Sequence, residues 1–310
     1  MTGVEDAAER YIEYKQALGF DFSGEMQRLQ AFAAFLGGKD VSQDAALAWA
    51  CSGSGHPRSY QAQRYETVRR LSEFAHALDR SFPMMQPGLL GSTGARVVPY
   101  IYTEEDACVL MRAALDLRSP DGLRAESLSF LIGIMWSCGL RVGEALGLKD
   151  VDFDADKCLL SIRDSKFGSS RVIPVASDVA KRVSAYQHAR DVAAPIRAHG
   201  TTIVSTGGKP LSENSAERMF CEIRWSLLGR GESFPGRMPR LHDLRHTFSV
   251  RTILRWYAQG EDVNAMMPYL SAYLGHRKLS DTYWYLTGAP ELMTVAAGAF
   301  RAAGLGGGAS

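Results

Sequence analysis

Between Arg80 and Thr103 regular periodicity stops: Pro83, Pro87, Gly88, Gly91, Gly94 and Pro99 fall at spacings that suit neither a helix nor a strand. The stretch reads as a linker, placed at 83–96, between a domain at 1–82 and a larger one at 97–303, with a flexible tail at 304–310. At 310 residues the chain is long enough for each domain to bury a stable interior. A linker of this length lets the two domains sit on different faces of a large ligand.

The first domain reads as a small helical bundle. Tyr11, Tyr14 and Leu18 recur at helical spacing before Gly19, and Met26, Leu29, Phe32, Ala33 and Leu36 do so before Gly37. A third helix covers about 41–50, and a fourth runs over about 59–78 with Tyr65, Val68, Leu71, Phe74, Ala75 and Leu78 as its apolar stripe. Arg58, Arg64 and Arg69 lie off that stripe, in a stretch with Glu66 as the opposing charge. They suit either an ordinary solvated face or contact with phosphates and base edges.

In the second domain Thr103 caps a helix whose first turn is acidic, Glu104-Glu105-Asp106. An apolar helix over 128–138 ends at Gly139, and Arg141 opens a short helix in which Glu144 is its candidate partner. From Val151 to Val175 the period changes to two, with strands at 158–162 and 171–175 and Lys166 at the hairpin tip. Helices follow at about 177–190 and 212–228. The segment from Leu241 starts another, with His242 and Arg245 on one face and Leu241, Leu244 and Phe248 on the other. The stretch from Tyr273 to Thr287 reads as one short helical segment holding His276, two basic residues, Tyr283 and Tyr285. The expected fold is mainly α with a small antiparallel sheet in the second domain, an α+β chain.

Composition excludes several classes. No apolar run approaches the ~20 residues of a membrane span, and the acidic start lacks the features of a secretory signal, which points to the cytoplasm. Five scattered cysteines, an odd number, argue against a disulfide framework. His242 and His246 lack the intervening glutamate and third ligand of a zinc site. The net charge of +1 weighs weakly against a nucleic-acid partner, although a local basic strip is compatible with it. A tyrosine hydroxyl titrates near ~10 and is a poor nucleophile at neutral pH, so chemistry at Tyr283 or Tyr285 needs cations. Arg141, Lys166, His242, Arg245 and His276 supply them from separate segments.

Taken in order, Gly139-Leu140-Arg141-Val142-Gly143-Glu144-Ala145-Leu146, Lys166 ahead of Arg171-Val172-Ile173-Pro174, His242-Asp243-Leu244-Arg245-His246-Thr247-Phe248, Leu274-Gly275-His276 and a tyrosine nine residues on resemble the tyrosine recombinase (phage integrase) family. The resemblance implies a two-domain DNA clamp with a helical, SAM-like core-binding domain at 1–82. It implies that Tyr285, chosen over Tyr283 by its distance from His276, attacks a phosphodiester to form a 3′-phosphotyrosyl link. Arg141 and Arg245 would grip the scissile phosphate, His242 and His276 would assist, and Lys166 would protonate the leaving oxygen. Glu144 and Asp243 would orient the arginines and histidine. No metal, cofactor or ATP is implied. The expected partners are double-stranded DNA of the nucleoid and three further copies in a tetramer, sometimes beside companion recombinases. The pattern around Tyr285 and Pro290-Glu291-Leu292-Met293 is closer to recombinases of transposons and other mobile elements. Residues 290–300 suit a helix docking either on a neighbour or on their own core. A type IB topoisomerase and a catalytically idle DNA-binding accessory subunit are the competing readings.

Overall fold

The computed structural model describes residues 3–20, 22–53, 55–92, 94, 98–165, 169–195, 200–234, 237–276 and 278–288. The chain divides into two compact units, Met1–Val97 and Val98–Ser310.

The first unit contains helices α1 (Val4–Ala17), α2 (Ser23–Leu36), α3 (Gln43–Cys51) and α4 (Arg58–Leu78). Leu29, Phe32, Leu36, Trp49, Tyr65, Val68 and Leu71 form its core. The buried face of α1 differs from the expected one. Val4, Ala7, Ala8, Tyr11 and Ile12 face inward, whereas Tyr14 is 47% and Leu18 54% exposed. Because α1 starts at Val4, its inward positions follow the i, i+3, i+4, i+7, i+8 rule through two alanines. Leu78, at the last turn of α4, is likewise exposed. Part of the stretch read as a linker packs here: Met85 is buried, Ser72 Oγ donates to the Pro83 carbonyl at 2.7 Å, and Tyr65 Oη donates to that of Gln86 at 2.8 Å.

The second unit opens with α5 (Glu104–Leu115), whose Thr103 and Asp106 form a reciprocal capping box. Next come α6 (Leu123–Cys138) and α7 (Val142–Leu146). Leu128, Phe130, Leu131, Ile132, Ile134 and Met135 leave α6 apolar all round, so it is buried and packs against α5, α8 (Ser177–Ala193) and α10 (Leu241–Ala258). Strands β1 (Phe153–Asp154), β2 (Leu159–Ser165) and β3 (Ser169–Pro174) form an antiparallel sheet in sequence order. Leu160 pairs with Ile173, and both, with Ile162, enter the core. The two-residue β1 is too short to show a period of two in the sequence. Helices α9 (Glu213–Gly229), α11 (Val263–Leu274) and α12 (Ser280–Gly288) complete the unit.

Gly139 sets the turn between α6 and α7. It caps α6 with φ +63°, and a Cβ there would clash with the Phe248 ring, so a side chain is excluded on both counts. The same residue's carbonyl faces the site described next.

Candidate active site

The segment from Tyr273 to Thr287 is not one helix. Helix α11 ends at Leu274, Gly275 takes φ +67° as its cap, and α12 begins at Ser280. The break leaves His276 between two helices and the last carbonyls of α11 free of helix partners. A helix end carries unpaired carbonyls and partial negative charge. Here guanidiniums meet three successive ones: Arg171 Nε donates to the Tyr273 oxygen at 2.6 Å, Arg245 Nη2 to that of Leu274 at 2.7 Å, and Arg141 Nη2 to that of Gly275 at 3.2 Å. Arg245, fully buried, also donates from Nη1 to the Gly139 carbonyl at 2.9 Å. Burial, then the charge of Arg141, lowers its pKa to about 10, so it stays a cation at neutral pH.

Glu144 binds the same three side chains. Its Oε1 accepts from Arg141 at 2.6 Å and Arg171 at 3.1 Å; its Oε2 accepts from Arg171 at 2.9 Å and lies 3.6 Å from Arg245. Oε2 also accepts the Arg141 backbone N–H at 3.0 Å, fixing the start of α7. Burial opposes the Glu144 charge, but the hydrogen bonds from Arg171 and Arg141 outweigh it and hold its pKa at about 2. Three cations face one carboxylate. The excess positive charge suits an anion such as a phosphodiester.

Around this cluster the aromatic groups converge. His276 Nδ1 lies 2.7 Å from Thr282 Oγ1, and its ring stacks on that of Tyr285 at a centroid distance of 6.1 Å. Tyr285 is 3% exposed, packs against His246 at 5.5 Å, and lies near enough to Arg245 that its phenolate would help that guanidinium keep its proton. Tyr283 is only partly buried. Desolvation, then the Arg245 and Arg141 charges, pushes His276 down to about 4. Burial and the neighbouring His242 push His246 to about 3. His242 is exposed on α10, and desolvation, then the Arg245 charge, lowers its pKa too.

These directions predict an acid transition in two stages. The half-buried histidines His276 and His246 bind protons less readily than in the unfolded chain, so stability falls as pH drops from about 6.5 toward 4 and 3. Glu144 keeps its contribution above about 4.5 and loses it as pH falls toward about 2. Melting curves against pH should therefore slope already above pH 5, and His246→Phe should make that upper stage shallower, leaving the share of His276 and His242 and the Glu144 stage in place.

Of the residues expected from the sequence, Arg141, Glu144, Arg245, His276 and Tyr285 come together, with His242 one turn from Arg245 on α10. Asp243 is buried but binds Arg240, accepting its N–H at 2.9 Å and its guanidinium at 2.6 Å. It thus fixes the start of the helix that carries His242 and Arg245, not the side chains themselves. Lys166 and the segment 290–300 lie outside the described residues. In the first unit Arg58 is exposed. Arg64 instead is buried over Trp49, 4.1 Å from the ring centroid, and donates to the Ser52 carbonyl at 2.6 Å. Arg69 pairs with Glu66 and Glu73. A helical wheel cannot show these partners, which corrects the outward placing of Arg64. Sequence reasoning missed Arg171 and His246 as parts of the site. The available signal was an arginine within a core strand and a second histidine one turn after His242.

Clustered guanidiniums beside a buried tyrosine, with no group of potential metal ligands among the described residues, suit an enzyme that handles a phosphodiester. Residues 102–291 match the phage integrase family, and the chain belongs to that family of tyrosine recombinases. It is 36% identical over 300 residues to the integrase/recombinase y4rB of Sinorhizobium fredii, spanning 94% of this chain and 95% of that protein. It is 30% identical over 233 residues to the tyrosine recombinase XerC of Rhodospirillum centenum, covering 72% of this chain and 61% of that one. The fold is similar to that of the Tn1549 transposon integrase solved with transposon right end DNA, with a TM-score of 0.68 at 16% identity over 97% of this chain and 99% of that one. The chain is accordingly a site-specific recombinase that cuts and rejoins DNA, and the topoisomerase and idle-accessory readings are not favoured. Among the described residues no helix is long and apolar enough to cross a membrane.

Proposed function

We propose that Tyr285 is the nucleophile of this recombinase and that its substrate is the end of a mobile element. The Tyr285 oxygen forms a bond to the scissile phosphorus as the bond to the 5′-oxygen breaks, leaving a 3′-phosphotyrosyl link. The tyrosine proton passes to the histidine side of the site, and Lys166 gives a proton to the departing 5′-oxygen. Arg141 and Arg245 bind the non-bridging oxygens, where their fixed charge stabilises the transition state. His242 and His276 donate hydrogen bonds to the phosphate or tyrosine. The observation that carries this reading is Tyr285 seated against His276 and beside Arg245, at the helix end where cations outnumber carboxylates.

In this reading residues 1–82 and 97–303 are the core-binding and catalytic halves of a clamp on duplex DNA, with Arg58 offered to phosphate. Exchange between two duplexes requires four strands to be cut, each by its own tyrosine, so the working form is a homo-tetramer on nucleoid DNA in the cytoplasm. Companion recombinases take part where the element encodes them. The test is direct localisation of the adduct. A nicked duplex selected from a randomised pool by covalent capture on the wild-type chain is cleaved, and the DNA-linked peptide is fragmented by mass spectrometry. The expected site is Tyr285; modification at Tyr283, or on no tyrosine, overturns the assignment.

A further inference from the structure

We propose that Arg171 is a positioning residue for strand cleavage, tying β3, Glu144 and the carbonyl end of α11 into one rigid support that holds Arg141 and Arg245 apart and aimed at the phosphate. The proposal rests on the nucleophile assignment above.

Each nitrogen of the Arg171 guanidinium meets the protein. Nε donates to the Tyr273 carbonyl at 2.6 Å, Nη1 to Glu144 Oε1 at 3.1 Å and Nη2 to Glu144 Oε2 at 2.9 Å. Its side chain is 13% exposed, against 27% for Arg141. Arg171 therefore faces inward where Arg141 faces the open side. The fork holds both Glu144 oxygens, so the carboxylate that receives Arg141 at 2.6 Å is fixed in orientation and Arg141 is held with it. The same guanidinium fixes the last turn of α11, and with it the Gly275 carbonyl that receives Arg141 and the turn that carries His276. Contact is close: a Cβ at Gly275 would sit 2.8 Å from Arg171 Nη1. Lysine offers one point charge and cannot span two carboxylate oxygens and a carbonyl together.

The experiment compares wild type, Arg171→Lys, Arg171→Ala and Tyr285→Phe, as full chains, on the captured nicked duplex. Single-turnover adduct formation, equilibrium binding of the duplex and the pH dependence of cleavage are measured. Arg171→Lys should bind the duplex within about threefold of wild type yet cleave ~100-fold more slowly, the loss expected from small displacements of reacting groups. Its acid limb should move to higher pH, because Glu144 loses the partner that most lowers its pKa. Arg171→Ala should show the same pattern more strongly; if it does not fold, Arg171→Lys decides. Cleavage by Arg171→Lys at the wild-type rate, or a loss matched by lost binding with an unmoved acid limb, overturns the proposal. Adduct persisting in Tyr285→Phe would instead overturn the nucleophile assignment, so the two failures are distinguishable.

Discussion

Tyr285→Phe should leave the chain folded and bound to duplex DNA while removing adduct formation by on the order of 10⁶-fold, the scale seen when an enzyme loses its nucleophile. Tyr283→Phe should cleave at close to the wild-type rate. The two side chains differ by two positions on α12 and so point in different directions. Tyr285 is buried against His246 and His276, whereas Tyr283 is partly buried at the edge of the same cluster. Phenylalanine keeps the ring contacts of Tyr285, so its melting temperature should change little and a fall in activity reports the hydroxyl. Denaturing electrophoresis of the protein–DNA adduct reads both variants at once. Adduct retained in Tyr285→Phe and lost in Tyr283→Phe would reverse the assignment.

Arg245→Ala should fail for two separable reasons. Removing the guanidinium leaves the Gly139 and Leu274 carbonyls without their donors and takes a cation from Glu144. Breaking a buried charge arrangement of this kind costs about 3–5 kcal/mol. Cleavage should fall further than unfolding explains, by ~10³ to 10⁵, the range for losing an arginine that stabilises transferring phosphoryl charge. Arg245→Lys separates the effects. It keeps a positive charge near Glu144 and recovers part of the stability, but a lysine cannot replace the planar fork toward phosphate and carbonyls, so the rate stays low. Urea denaturation and single-turnover cleavage on folded protein measure the two quantities. A normal rate in folded Arg245→Lys would remove Arg245 from the chemistry.

The helices were legible wherever large apolar residues recur at 3.6-residue spacing, as in α2 and α4, and the hairpin where the period falls to two. Legibility failed where small residues carry the packing. Two alanines form much of the inner face of α1, while the more conspicuous Tyr14 and Leu18 face solvent. It failed again where a charge finds its partner in another segment. Arg64 looked outward on a helical wheel, but Trp49 and Ser52 enclose it. Arg171 read as a strand residue because nothing local reveals Glu144 or the end of α11. The basic and aromatic site residues were legible because their chemistry is rare and ordered along the chain. Their mutual support was not, since it depends on Gly275 ending α11 just before His276.

The end of α11 also gathers distant parts of the chain. Its three carbonyls are reached by arginines 102, 29 and 134 residues away in sequence, and Arg245 reaches back 106 residues to Gly139. Closing contacts so distant along the chain costs loop entropy that a helix's own local contacts do not. The tyrosine and the arginines become one site only where segments far apart in sequence are held together by these contacts.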